Sequence, residues 1–341
     1  MSVEPFGRLD NNLEIREKLL PYCRLRIGDI WEDPVRGHKV GVLDATNFDN
    51  VIEIFRTEKA TLAVQDPPYN VIVGNENTDN LFKMNLLEYM IFSKKWVDNN
   101  LKILANDSSL YIWLGADQKE HFQPLPDFMI MMRDYSDLVS RSFITMRNQR
   151  GYGTQKNWMA VRQECLYYIK GNPYFDVNAE YTDIPKILRG YYKEVNGQKT
   201  ENIERSKSEN IRAGNVWVDI QQVFYRLPEN VAGCYAQKPL KSIERIVKAS
   251  SKQGDLITDF FAHSGTTLIV GEMNKRKVFT FDIDPIFAEL TIRRLEYFRK
   301  TGETGFQFSN PFTEITDFII EQQEIQETTL KQKSLVQTTL F

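Results

Sequence analysis

The chain has 341 residues, 42% of them hydrophobic and 26% charged. That is the make-up of an ordinary soluble globular protein, with length for about two domains at roughly 150 residues each. Three widely spaced cysteines (Cys23, Cys165, Cys234) exclude a disulfide scaffold and a zinc ribbon, and three histidines without ligand spacing (His38, His121, His263) argue against metal hydrolysis, so no metal site is expected. The net charge of −3 is unevenly spread: 301–341 is acidic, whereas 141–215 carries 13 basic against 8 acidic residues. Such an excess is either a solvated surface or a phosphate-facing patch.

Residues 1–38 read as an N-terminal extension, with a helix starting near Asp10 as its N-cap. Met1 to Gly7 has neither a basic n-region nor an apolar h-region, which points to a cytoplasmic protein. No apolar run approaches the ~18 residues of a membrane span, so no membrane partner is expected. Apolar runs rich in β-branched and aromatic residues follow at 39–43, 61–65, 108–114, 142–146, 164–169, 255–260 and 277–281, each reading as a buried strand. Helical patterns lie between many of them, notably at 82–104, 240–251, 266–275 and 285–300. Strands of this kind alternating with amphipathic helices imply a doubly wound, mainly parallel α/β sheet. The polar stretch 172–230 breaks the alternation and reads as an inserted module or loop region. From Pro311 a short amphipathic helix (Ile315, Phe318, Ile319, Gln322, Ile325) leads into a frayed, acidic tail.

Chemistry gathers at strand ends, outside which open α/β sheets bind ligands. Asp44, Asp66 and Asp282 each follow a strand, and Asp259 lies at the end of another. One such acid is more often a turn or capping residue; four are harder to dismiss. In Asp66-Pro67-Pro68-Tyr69 two prolines fix two φ angles and remove two N–H groups, so the chain leaves its strand rigidly. The Asp66 carboxylate and nearby carbonyls then stand as stiff acceptors beside the Tyr69 ring, which suits an exocyclic amino group on a planar base. A proline-rich turn with Tyr69 packed in the core fits this tetrapeptide equally well. A second segment, Asp259 to Thr267, places a small-residue turn before a helix whose free N–H groups suit an anion. Asp282 follows at a spacing suited to ribose hydroxyls. With one glycine and no phosphate-loop pattern, the segment fits a small adenosine-bearing cofactor with one carboxylate, lying near Thr266 and Thr267.

With these residues in view, the chain resembles the DNA amino-methyltransferases that act on adenine N6 or cytosine N4. The resemblance rests on DPPYN at 66–70, LLEYMIFSKKWVDNNLKILANDSSLYIWL at 86–114, RNQRGYGTQKNWMAVRQECLYYIKG at 147–171, GNVW at 214–217, AQKPLKSIERIVKAS at 236–250 and the stretch 255–295. The order, catalytic motif first and cofactor motif last, is similar to the permuted β class. It implies a seven-stranded S-adenosylmethionine-dependent methyltransferase fold, with a catalytic half at 39–171 and a target-recognition insertion at 172–230. A cofactor-binding half at 231–300 and an acidic tail at 301–341 complete it.

By the same resemblance Asp66 and the Pro67 carbonyl accept hydrogen bonds from the target amino group, Pro68 stiffens the turn, and Tyr69 stacks on the base. Asp259, Phe261, Ser264, Gly265 and Thr266 form the S-adenosylmethionine loop, Asp282 holds the ribose, and Asp44, Gln237, Lys238 and Pro239 lie on the cofactor side. Two departures stand out: Phe260 replaces the usual proline of the cofactor motif, and His263 stands where glycine is usual. A His263 with φ above zero would be strained by about 1 kcal/mol or more and could crowd the cofactor.

The implied activity is adenine N6 methylation of DNA after base flipping. Cytosine N4 methylation, RNA adenine methylation and a non-catalytic DNA-binding subunit are the rival readings. The partner is DNA, with a second copy of the chain and a cognate restriction endonuclease as further candidates. The basic excess nominates Arg147, Arg150, Lys156, Arg162, Lys186, Arg189, Lys193, Lys199, Arg205, Lys207 and Arg212 as DNA-binding residues.

Overall fold

The computed structural model describes residues 9, 12–68, 84–115, 122–154, 157–185, 192–201, 208–223, 227–307 and 309–315. Of 148–154, 157, 159–160, 192–195 and 199–201 it describes the backbone alone. Helix α1 (Leu13–Leu19) is capped by Asn12, whose Oδ1 accepts the Ile15 N–H at 3.1 Å; Asp10, the cap expected from sequence, lies outside the described residues. There follow β1 (Ile30–Glu32), β2 (Lys39–Val42), α2 (Phe48–Phe55), β3 (Ala60–Gln65), α3 (Leu86–Ile103), β4 (Leu104–Leu114), α4 (Pro124–Met131), β5 (Leu138–Thr154) and β6 (Asn157–Lys170). The stretch 172–230 holds β7 (Tyr181–Pro185), β8 (Tyr192–Val195), β9 (Gln198–Glu201), β10 (Asn210–Arg212) and β11 (Val216–Trp217). The chain then runs through α5 (Leu240–Ser250), β12 (Leu256–Asp259), α6 (Thr266–Met273), β13 (Lys277–Asp282) and α7 (Pro285–Thr301).

Nine strands form the main sheet in the order β1-β2-β13-β12-β3-β4-β6-β5-β11. The seven from β2 to β5 are those read from sequence. The two extra are a three-residue antiparallel edge, β1 on β2, and a two-residue parallel edge, β11 on β5. Neither is long enough to show a period, and they attach parts of the extension and of the insertion to the main sheet. The five strands β2, β13, β12, β3 and β4 run parallel, and β6 pairs antiparallel with both β4 and β5.

Helix α2 (Val51, Ile54, Phe55), α3 (Trp96, Val97, Ile103) and α4 (Leu125, Phe128) pack on one face of the sheet. Helix α5 (Ile243, Ile246, Val247), α6 (Leu268, Ile269) and α7 (Ala288, Ile292, Leu295) cover the other. The chain therefore winds one way from β3 through α3 to β4 and the opposite way from β12 through α6 to β13. β3 and β12 are neighbours, so the crevice between their carboxyl ends is the topological switch point at which such sheets bind ligands.

A third cluster joins Leu9, Leu19 and Cys23 to Ile286 and Leu290 of α7 and to Phe306 and Phe312 beyond it. The expected helix after Pro311 falls, from residue 316 on, outside the described residues. No helix among the described residues is long and apolar enough to cross a membrane.

Candidate active site

Asp66 and Asp259 flank the switch point. Asp66 is the first residue after β3, with Pro67 buried behind it and Pro68 exposed; Tyr69 lies outside the described residues. The Asp66 carboxylate is 25% exposed, and its Oδ2 lies 2.8 Å from Nζ of Lys238, a lysine only 5% exposed. Asp259 ends β12, its Oδ1 accepting the Phe261 N–H at 2.9 Å and its Oδ2 the Thr267 hydroxyl at 2.6 Å.

The loop from Asp259 to Thr266 is held from three sides. Gln65, at the end of β3, accepts the Phe260 N–H at Oε1 at 2.9 Å across 195 residues of sequence. A proline, the residue usual there in the family, could not make that bond, so Phe260 gains a tie that links the end of β3 to the turn after β12. Its ring is buried against Phe281 at 4.6 Å. Phe261 packs edge-on against Trp96 at 5.5 Å. Gly265 turns the chain into α6 with φ of 76°, and a Cβ there would meet Thr291 at 3.0 Å. Glycine answers both demands.

Beneath the loop lies Arg294, fully buried, which donates to the carbonyls of Ser264 (2.8 Å), Glu229 (3.2 Å) and Thr304 (2.7 Å) and to Oγ1 of Thr266 (3.2 Å). Burial lowers its pKa to about 10, so it stays charged at neutral pH.

Asp282 ends β13, and its carboxylate accepts the N–H groups of His263 (2.9 Å) and Asp284 (3.0 Å). Burial, with the Asp284 charge, pushes its carboxyl up to about 7. Burial does the same to Asp259, also about 7, with the Asp66 charge adding to it. Two strand-end carboxyls raised in this way are short of positive charge, which fits a cationic ligand whose hydroxyls can donate to them. This is the chemistry of S-adenosylmethionine, with its sulfonium, ammonium and ribose diol. Each carboxylate oxygen has more than one acceptor direction, so the bonds already made leave capacity for a ribose.

His263 has a φ of 44°, the strained conformation anticipated from sequence, but its ring packs against Phe287 at 4.7 Å. His263→Gly should therefore leave cofactor affinity unchanged or tighter, as read by calorimetry. A tenfold loss would show that the histidine contributes to binding.

The other residues assigned to the cofactor side divide. Asp44, in the loop just past the end of β2, spends Oδ1 on the N–H and hydroxyl of Thr46, both at 2.8 Å. Gln237 bridges the backbone of Val231 (3.0 Å) and Glu229 (2.7 Å) and so shapes the approach to α5. Pro239 caps α5. Sequence reasoning missed Gln65 and Arg294. Each carried a signal: Gln65 is a polar end to an apolar strand, and Arg294 continues the buried line of Ile286 and Leu290 at helical spacing.

Of the candidate DNA-binding residues, three have described side chains. β4 ends at Leu114, opposite Glu164 of β6, so the β5–β6 hairpin continues beyond it on the sheet edge that carries Asp66 and Asp259. Arg147 and Arg162 are exposed cross-strand partners there, and Trp158 is 92% exposed. Arg212 is exposed on β10. Arg150, Lys193 and Lys199 are placed by backbone alone, and Lys156, Lys186, Arg189, Arg205 and Lys207 lie outside the described residues.

An open sheet with acids at the switch point and a glycine-turned helix start defines the class, the S-adenosylmethionine-dependent methyltransferases of Rossmann-like fold. A solved relative, the PvuII DNA methyltransferase (cytosine-N4-specific), shares that fold at a TM-score of 0.53 and 14% identity, over 84% of this chain and 92% of its own. Within the class, the model of the DNA methylase family for N6 and N4 methylation matches residues 60–293, and the chain belongs to that family. Its substrate atom is thus adenine N6 or cytosine N4 of DNA, and its methyl donor is S-adenosylmethionine. The chain is 26% identical to the Type II methyltransferase M.HpaI of Haemophilus parainfluenzae, over 74% of each protein. It is 24% identical to the DNA adenine methyltransferase YhdJ of Escherichia coli (strain K12), over 70% of this chain and 77% of that one.

Proposed function

We propose that the protein methylates N6 of adenine in duplex DNA after flipping the base out of the stack, in restriction–modification or epigenetic marking. The observation that carries this reading is the Asp66 carboxylate at the switch point, followed by two rigid prolines and paired with Lys238, its charge felt at Asp259. Bound S-adenosylmethionine supplies an electrophilic methyl group. The protein has to align the nucleophile and receive the charge that develops on it. The amino lone pair of adenine is delocalised into the ring. Hydrogen bonds from N6 to Asp66 and the Pro67 carbonyl favour a more tetrahedral, nucleophilic nitrogen as the bond forms. A stacked base cannot enter such a crevice, so the target is extruded, with Tyr69 replacing its lost stacking. Methylation-sensitive sequencing of DNA from cells expressing the protein tests the reading. Modified adenine within one recurring site supports it, and modified cytosine replaces it with the N4 activity.

The DNA grip in this reading combines the β5–β6 hairpin with the 172–213 segment, through the basic residues named from sequence. A two-stranded ribbon carrying Arg147 and Arg162 suits a groove flanked by phosphates. Charge reversal at Arg147, Arg162 and Arg212 together should weaken DNA binding and flatten its salt dependence, the slope falling by about 0.9 for each phosphate no longer neutralised. Cofactor affinity should not change. Unaltered DNA affinity and slope would remove these residues from the interface.

A further inference from the structure

We propose that Lys238 is the positioning residue of the catalytic carboxylate: its ammonium, docked on Asp66 from the start of α5, keeps that carboxylate ionised and aimed through each round of methyl transfer. The inference rests on the reading of Asp66 as acceptor of the target amino group, and it gives Lys238 a task on the substrate side of the crevice rather than on the cofactor.

The geometry is a built one. Lys238 Nζ lies 2.8 Å from Asp66 Oδ2 with the lysine 5% exposed. A lysine so buried is stable only against a partner. The same ammonium sits over the ring of Trp113, 5.5 Å from its centroid. The backbone is fixed as well: the Lys238 carbonyl accepts the Thr266 hydroxyl at 3.3 Å, and Pro239 caps α5 immediately after. Lys238 therefore joins the cofactor loop by its main chain and the catalytic turn by its side chain.

The groups around Asp66 show what this cation does. Asp259 approaches from the end of β12, Tyr89 from α3 and Cys165 from β6, and the Asp66 charge is felt at all three. Each is either a second acid or a group that is neutral at physiological pH. Where two carboxyls share one crevice, one of them tends to take up a proton. A protonated Asp66 would turn a donor toward the amino group in place of an acceptor. Lys238 opposes that outcome. Pairing at Oδ2 does not stop Asp66 from receiving an amino N–H, because each carboxylate oxygen accepts in more than one direction.

The same cation serves the end of the reaction. As the N–CH3 bond forms, the C–S bond breaks with its electron pair left on sulfur, and the positive charge moves to the amino nitrogen. That nitrogen sheds one proton along its hydrogen bond to Asp66, and Asp66 then passes it to solvent. The ammonium beside it favours the carboxylate over the acid, and so favours release of the proton before the next turnover.

The test compares the wild type with Lys238→Met, Lys238→Arg and Asp66→Ala. It reads the single-turnover methyl-transfer rate from about pH 5.5 to 9.5 at saturating cofactor and DNA, and S-adenosylmethionine affinity by calorimetry. For Lys238→Met the acid limb of the profile should move up by about 1–3 pH units, the range an opposite charge at this distance commands. The rate then falls at least about tenfold at the acid end and recovers toward wild type at the alkaline end. Cofactor affinity should hold within about threefold, and Lys238→Arg should restore the limb. Lys238→Gln carries the same expectations should the Met variant fail to fold. An unmoved acid limb in Lys238→Met, with Asp66→Ala inactive, overturns the role of Lys238 and leaves Asp66 in place; a loss of cofactor binding with an unmoved limb also overturns it. An active Asp66→Ala overturns the reading of Asp66 on which the inference stands.

Discussion

Asp66→Ala lowers methyl transfer by at least about 100- to 1000-fold, the cost of removing an acceptor aimed at developing charge, while S-adenosylmethionine still binds. The separation follows from the architecture. Asp66 leaves β3 on one side of the switch point, whereas the loop from Asp259 to Thr266 is tied by Arg294, Gln65 and Asp282 on the other. Alanine also deprives a buried ammonium of this carboxylate, so Asp66→Asn, of the same shape, is the companion variant. It keeps an acceptor oxygen and removes the charge. Rapid-quench methylation assays beside calorimetric titration of the cofactor check both. Near-normal turnover in either variant removes Asp66 from the chemistry.

Asp282→Ala weakens cofactor binding by about 1.5–3 kcal/mol for each charge-assisted bond it gave a ribose hydroxyl, or at least about tenfold per bond. If Asp282 serves only to hold the His263 and Asp284 N–H groups, the variant loses thermal stability and the folded fraction binds the cofactor normally. The pH dependence of the native protein carries the same information. In the ligand-free protein the carboxyls of Asp259 and Asp282 sit at about 7, raised by burial from the ordinary 3.8. A group raised on folding contributes stability that is fully present below its unfolded pKa and lost as pH rises through the folded value. The free protein is therefore relatively less stable near pH 7 than near pH 5 as far as these two groups are concerned. If the cofactor binds their ionised forms, as the proposed site has it, affinity should be full above about pH 8 and fall as pH drops through 7. Binding at pH 6.5 should release protons, measurable by calorimetry in buffers of different ionisation heat. Affinity independent of pH from 6 to 8 would contradict this.

The sheet was legible in the sequence because each of the seven strands from β2 to β5 contains a compact apolar run, and the site because its parts are contiguous. Asp66 with Pro67 and Pro68, and Asp259 through Thr266, each declare themselves within one turn. What escaped is what the fold alone brings together. The strand β4 begins at Leu104, but Asn106 and Asp107 are exposed there and interrupt the apolar pattern. The two edge strands have no period to read. Gln65 meets Phe260, Lys238 meets Asp66, and Arg294 reaches under Ser264 only after β3, β12, α5 and α7 have packed. Phe260 illustrates the gain: read alone it departs from the family motif, yet its N–H is the donor that Gln65 requires.

The most direct measurement is product identity. Purified protein is incubated with duplex DNA and S-adenosylmethionine carrying a labelled methyl group, and the DNA is digested to nucleosides and resolved by mass spectrometry. The account predicts label in N6-methyldeoxyadenosine for the wild type and none for Asp66→Ala. Label in N4-methyldeoxycytidine with none on adenine, or label on adenine that persists in Asp66→Ala, would contradict it.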